Sequence, residues 1–213
     1  VKVLRDPERP AGQADDDDRE ADDRCGADDR ELVALCLEAG QSYDQAFEAL
    51  YERHSPRVFG FLLKLTHSRG AAEDALQETF LRVYKSLDRF DGRRSLGAWL
   101  LQIARYVAID AFRVERKVKR LEERSAQERS EIERSGESVA EKNERQRLVD
   151  AVLAELSPED RSLLLLRHYE GLTFRAIGEV VDCSSRTAQN RVAAAAKRFQ
   201  QGLSALRIQG EEL

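Results

Sequence analysis

The chain has 213 residues, a formal net charge of −5, and 41 % apolar and 7 % aromatic residues. The length suits one large or two small domains, the charge excludes a polycationic nucleic-acid coat, and four Pro and twelve Gly against abundant Ala, Leu, Glu and Arg disfavour a β-sandwich and favour helices. Three scattered cysteines (Cys25, Cys36, Cys183) without C-x-x-C spacing argue against a disulfide framework or zinc site, and no apolar run approaches the ~18 residues of a membrane span, so a soluble, cytoplasmic protein is expected.

Residues 1–30 hold eleven acids and six bases, including Asp15–Asp18, and account for the whole net charge. Large apolar residues are too few there to offset the entropy of ordering, so a disordered acidic tail is expected, either a solvated run or a nucleic-acid mimic that covers a basic surface. Residues 31–118 form the first expected domain. Leu32, Leu35 and Cys36, then Phe47, Leu50, Tyr51, Val58, Phe59, Leu62, Leu63 and Leu65, return at i, i+3, i+4 spacing and predict two helices. A third helix, about 71–87, places Ala72, Ala75, Leu76, Phe80, Val83, Tyr84 and Leu87 inward and Glu73, Asp74, Gln77, Glu78 and Arg82 outward. Residues 88–95 read as a loop, and Ser95 can cap a fourth helix over 96–116 with Leu96, Trp99, Leu100, Ile103, Ala104 and Val107 buried. Residues 105–120 are locally +4.

A charged, apolar-poor linker is expected over 119–143, a second helical domain over 144–207, and a short tail over 208–213. Ser157-Pro158 supplies an N-cap and first helical residue, with Glu159 and Asp160 suited to the positive end of the helix dipole. Thr173 caps a short helix with Ile177 and Val180 inward, Asp182-Cys183-Ser184 forms a tight turn, and a longer helix buries Ala188, Val192, Ala195 and Phe199. Its outward side carries Arg186, Gln189, Asn190, Arg191, Lys197 and Arg198, and residues 171–209 are locally +4. Two short helices around a tight turn, the second opening with Arg, Gln and Asn, have the layout of a DNA-reading helix-turn-helix, since these side chains pair with base edges. Asp182 occupies the usual turn glycine's place, and Asp tolerates left-handed backbone. The fold class is therefore all-α: two small helical domains joined by a charged linker, the second containing a helix-turn-helix.

The stretches AEDALQETFLRVYKSL (72–87), RFDGRRSLGAWLLQIARYVAIDAFR (89–113) and LAELSPEDRSLLLLRHYEGLTFRAIGEVVDCSSRTAQNRV (153–192) resemble bacterial RNA polymerase sigma factors of the extracytoplasmic-function group. The resemblance covers about residues 43–205. It implies a transcription initiation factor that binds core RNA polymerase through the β′ clamp and β subunits, directs it to promoter DNA and helps to open the strands. An anti-sigma factor is a further candidate partner. Implied core-polymerase contacts are Asp74, Gln77, Glu78 and Leu81, with Phe80 and Tyr84 read as core. Implied minus-10 DNA residues are Phe90, Asp91, Arg93, Arg94 and Ser95, which would hold an unstacked base, and Arg105, Arg113, Arg116 and Lys117, which would follow phosphates. Trp99 reads as core, and Tyr106 stands where many members have Asn. Implied minus-35 DNA residues are Ser185, Arg186, Thr187, Gln189, Asn190 and Arg191.

A stand-alone helix-turn-helix regulator would explain residues 153–201 but leaves 72–95 without purpose. A metal-dependent nucleic-acid hydrolase would need clustered carboxylates, and Asp74 with Glu78 lacks a third partner at useful spacing. His54, His67 and His168 are dispersed and no phosphate-binding Gly-rich loop is present. No cofactor, metal site or catalytic residue is expected.

Overall fold

The computed structural model describes residues 26–38, 43–90, 92, 94–125 and 144–211. The expected acidic tail lies outside the described residues up to Cys25, as does the linker over 126–143. Among the described residues there are α-helices, a 3-10 turn and a π turn, and no strand.

The first unit contains α1 (Gly26–Glu38), α2 (Tyr43–Thr66), α3 (Arg69–Ser86) and α4 (Leu96–Ser125). Helix α2 buries Leu50, Val58, Phe61, Leu62 and Leu65, the inward positions of its amphipathic repeat, and packs on α1, α3 and α4. Ser68 caps α3 by accepting from the Ala71 amide, and Ser95 does the same for α4 through the Ala98 amide. The buried stripe of α4 runs through Leu96, Trp99, Leu100, Ala104 and Val107. Helix α4 continues beyond the expected end near Arg116 to Ser125.

Helix α1 begins inside the stretch that charge alone assigns to the tail. Asp29 is its anchor: buried, with Oδ1 3.0 Å from His54 Nε2 and 3.3 Å from Arg53 Nη1. Burial pushes the His54 pKa below its ordinary value against the opposing pull of Asp29. The imidazole is then neutral and its Nε2–H donates to the carboxylate.

The second unit contains α5 (Glu144–Glu155), α6 (Pro158–Leu164), a π turn (Leu165–Tyr169), α7 (Phe174–Val180) and α8 (Ser185–Glu211). Ser157 caps α6 through the Asp160 amide and Thr173 caps α7 through the Ala176 amide. Gly171, at φ +70°, releases the chain from the π turn. Arg161 is buried and donates to the carbonyls of Leu153, Ala154 and Leu156 at and just beyond the C-terminal end of α5, where helix carbonyls run out of backbone donors. Its Nη1 also reaches the Leu65 carbonyl, at 2.6 Å, near the end of α2.

That last bond crosses between the units, which are packed together. Leu166, Ile177 and Val180 of the second unit belong to the same buried apolar cluster as Phe61, Leu100 and Ala104 of the first. Helix α4 lies against α6 and α7, and α2 lies against α6 and the π turn.

Candidate functional site

The outward side of α3 carries Asp74, Gln77 and Leu81 into solvent, Leu81 being 48 % exposed. Glu78 is half-buried and tied to Arg82 across one helical turn at 2.6 Å. Beside these residues runs a groove between α2 and α3 lined by Phe47, Tyr51, Phe59, Leu76, Phe80 and Tyr84, with Glu73 and Gln77 at its margin. Tyr51 and Phe80 meet edge to face, as do Phe47 and Tyr84. Phe80 is core as expected; Tyr84 is not, because the ring is 45 % exposed and its hydroxyl reaches Asp44 at 3.3 Å. The helical stripe predicts it inward, whereas it meets the first turns of α2 edge-on at Tyr43 and Phe47 and stays partly open to solvent. An aromatic groove flanked by carboxylates suits an amphipathic, basic protein helix.

A second groove opens between α3 and α4, lined by Arg82, Lys85, Ser86, Arg89, Gln102, Ile103 and Tyr106. Tyr106 is exposed, and the Arg82 guanidinium stands 5.5 Å from its ring centroid. Cations beside an exposed ring are the ingredients of a single-strand nucleic-acid surface, which holds phosphates and stacks bases. Sequence reasoning left Arg82, Lys85, Arg89 and Gln102 without a role. The signal was present, because Arg82, Lys85, Ser86 and Arg89 follow i, i+3, i+4, i+7 spacing.

Around this groove, Phe90 packs on the buried Trp99 with ring centroids 5.2 Å apart, and Arg94 donates to Gln102 at 2.7 Å. The Ser95 hydroxyl is engaged as the α4 cap. Asp91 and Arg93 lie outside the described residues. Along α4, Arg116 and Lys117 are exposed. Arg113 approaches Glu159 at 3.5 Å, and Arg105 donates to the Ser162 hydroxyl at 2.9 Å, both across the contact with the second unit. Burial lowers the Arg105 pKa, with Arg191 nearby adding to the effect.

In the second unit α7 and α8 meet across the turn 181–184. Asp182 takes φ +54°. Gly178 allows a close approach here: a Cβ at that position would stand 2.6 Å from the Cys183 carbonyl oxygen, and the Cys183 amide donates to the Gly178 carbonyl at 2.8 Å. Ser184 caps α8 through the Thr187 amide and also pairs with the Thr187 hydroxyl at 2.8 Å, so the Thr187 side chain is spent within the turn. Ser185, Arg186, Gln189, Asn190 and Arg191 are all exposed. Arg186, Gln189 and Asn190 share one face at i, i+3, i+4 spacing.

Two families match, each on one unit: Sigma-70 region 2 over residues 50–118 and Sigma-70, region 4 over residues 146–199. The RNA polymerase sigma factor CarQ of Myxococcus xanthus is 32 % identical over 164 residues, covering 77 % of this chain and 92 % of CarQ. The extracytoplasmic-function sigma factor SigC of Mycobacterium tuberculosis is 34 % identical over 169 residues, covering 79 % of this chain and 89 % of SigC. The chain is an extracytoplasmic-function RNA polymerase sigma factor. The solved structure of CnrH in complex with the cytosolic domain of CnrY shares the fold, with a TM-score of 0.59 at 23 % identity, covering 83 % of this chain and 97 % of CnrH. The sigma factor RpoE of Bartonella quintana, solved with the anti-sigma factor NepR, does so with a TM-score of 0.54 at 22 % identity, covering 74 % of this chain and 96 % of RpoE.

As an alternative sigma factor the protein serves transcription initiation, with core RNA polymerase and promoter DNA as its partners. Region 2 of this sigma factor contains the groove-flanked face of α3 and the cationic α3–α4 groove, and region 4 contains α7, the turn and the exposed start of α8. Among the described residues of the sigma factor, no group of three His, Cys, Asp or Glu side chains gathers as a metal site, and no helix is long and apolar enough to cross a membrane.

Proposed function

We propose that this sigma factor divides its contacts among three surfaces. Asp74, Gln77, Glu78 and Leu81 of α3, with the aromatic groove beside them, dock on core polymerase at the β′ clamp. The α3–α4 groove, with Arg82, Lys85, Arg89 and Tyr106, holds the opened minus-10 strand against the Phe90–Ser95 loop. Arg116 and Lys117 continue the cationic track. Helix α8 reads the minus-35 element through Arg186, Gln189, Asn190 and Arg191, while Ser184 and Thr187 hold the turn that aims it. The carrying observation is the start of α8: a capped helix end that leaves four base-reading and phosphate-holding side chains exposed together. The protein supplies recognition and the polymerase supplies the chemistry, so it is not itself an enzyme. It acts in the cytoplasm and is held in reserve by an anti-sigma partner.

Run-off transcription with purified core polymerase on a promoter library tests the whole reading. Added protein selects a subset of promoters. The pair Asp74→Lys and Glu78→Lys abolishes transcription and polymerase binding together, while Asn190→Ala and Arg186→Ala leave polymerase binding intact and relax promoter choice. A purified chain that fails to associate with core polymerase overturns the reading.

A further inference from the structure

The α3–α4 groove holds cations that the folded chain leaves uncompensated. Arg82 is tied to Glu78, but Lys85 and Arg89 are exposed and neither makes an ion pair among the described residues. Lys85 comes from the last turn of α3 and Arg89 from the 3-10 turn Leu87–Arg89, and both line the groove with Gln102 and Tyr106 of α4. Two like charges four positions apart repel each other until an anion lies against both.

The chain itself carries such an anion. Residues 15–23 hold seven acids and one base, beginning with Asp15–Asp18. They join the fold through α1, which lies against the 3-10 turn that carries Arg89 and against α4. A helix of this length runs about 20 Å, so Gly26 at its start stands within roughly 30 Å of that turn. Asp18 and Asp15 precede Gly26 by eight and eleven residues, which span about 28–40 Å drawn out, so the acidic run reaches the groove. Carboxylates two positions apart in a drawn-out chain share a side at about 7 Å, close to the ~6 Å that four helical positions advance. Two of them can therefore meet Lys85 and Arg89 together. Exposed ion pairs contribute little singly, but a tether this short gives millimolar effective concentration.

We propose that residues 15–23 occupy the α3–α4 groove on Lys85 and Arg89 as a stand-in for single-stranded DNA, and that an opened promoter strand must displace them to enter. The proposal rests on the reading of this groove as a single-strand surface. The acidic run supplies charge but no bases, so it leaves the exposed Tyr106 ring unstacked. A DNA strand displaces it by adding stacking to the same ion pairs. A polyanion without bases has no such advantage, so the run filters the groove in favour of nucleic acid.

Charge neutralisation in the full chain tests this without polymerase. The tail variant carries Asp15→Asn, Asp16→Asn, Asp17→Asn and Asp18→Asn, the groove variant carries Lys85→Gln and Arg89→Gln, and a third protein combines them. Amide resonances read contact in the absence of DNA: those of Lys85, Ser86, Arg89 and Gln102 should shift in the tail variant, and those of Gln189 and Asn190 on α8 should not. Fluorescence anisotropy with a labelled single strand of mixed sequence reads competition. At low ionic strength the tail variant should bind roughly tenfold more tightly than the parent, with a log–log salt slope steeper by about 1.4, the single-strand value for two phosphate contacts. In the groove-variant background the gain from neutralising the tail should fall below twofold. Unmoved groove amides, or a tail gain that persists undiminished without Lys85 and Arg89, would overturn the proposal, the second because general charge repulsion would then explain it. Strand binding that ignores the groove cations in the tail-variant background, with the amide shifts present, would instead remove the single-strand reading of the groove and leave the contact with the tail standing.

Discussion

Replacing Gly178 by Ala is expected to destabilise region 4, although Gly→Ala inside a helix ordinarily stabilises. The ordinary gain is about 1 kcal/mol. Here the new Cβ would sit 2.6 Å from the Cys183 carbonyl oxygen, so about 0.8 Å of movement is needed to reach ordinary contact. The obstacle is backbone, fixed by the bond from the Cys183 amide to the Gly178 carbonyl and by the left-handed Asp182 beside it. Forcing an extra methyl group into such a site costs typically 1–3 kcal/mol, and relief by shifting the turn would also pull Ser184 from its capping position, worth about 1 kcal/mol more. The net expectation is a loss of about 1–3 kcal/mol. With a urea dependence near 2 kcal/mol/M, the unfolding midpoint falls by about 0.5–1.5 M. Urea unfolding followed by circular dichroism measures this directly. Gly70→Ala, where no atom lies within 4 Å of the new Cβ, is the control and should raise the midpoint. A Gly178→Ala protein as stable as the parent or more so would refute the steric argument.

Arg161→Met should cost at least about 3 kcal/mol in the same assay, because four carbonyls, those of Leu65, Leu153, Ala154 and Leu156, lose a charged donor. His54 makes stability depend on pH. Its folded pKa is below the ordinary 6.5, so the unfolded chain takes up the proton first, and stability should fall as pH drops through about 6.5. His54→Gln should flatten that part of a plot of unfolding free energy against pH; an unchanged slope would remove His54 as its source. Arg82→Ala should weaken single-strand binding and lower the salt slope by about one, whereas loss of the neighbouring ring in Tyr106→Ala should weaken binding with the salt slope unchanged. Anisotropy titrations at several salt concentrations separate the two.

Much of the protein was legible because its signals are local. Caps at Ser95, Ser157 and Thr173, the i, i+3, i+4 apolar stripes and the helix-turn-helix spacing act within a few residues, so they mark the helices and motifs directly in the sequence. The sequence alone was thus enough for helical class, the order of the two units and the family resemblance. Charge counting was weaker, because a net charge does not say which way a side chain turns. It assigned Asp29 to a solvated tail, whereas packing of α1 on α2 buries it beside His54. It treated Arg105 and Arg116 alike, whereas one is held by Ser162 and the other meets water. The α3–α4 groove joins residues whose spacing along the chain gives no sign that Tyr106 will stand over Arg82. Those outcomes depend on contacts between distant segments, including the Arg57–Glu170 bond across 113 positions, and only the packing of completed helices decides them.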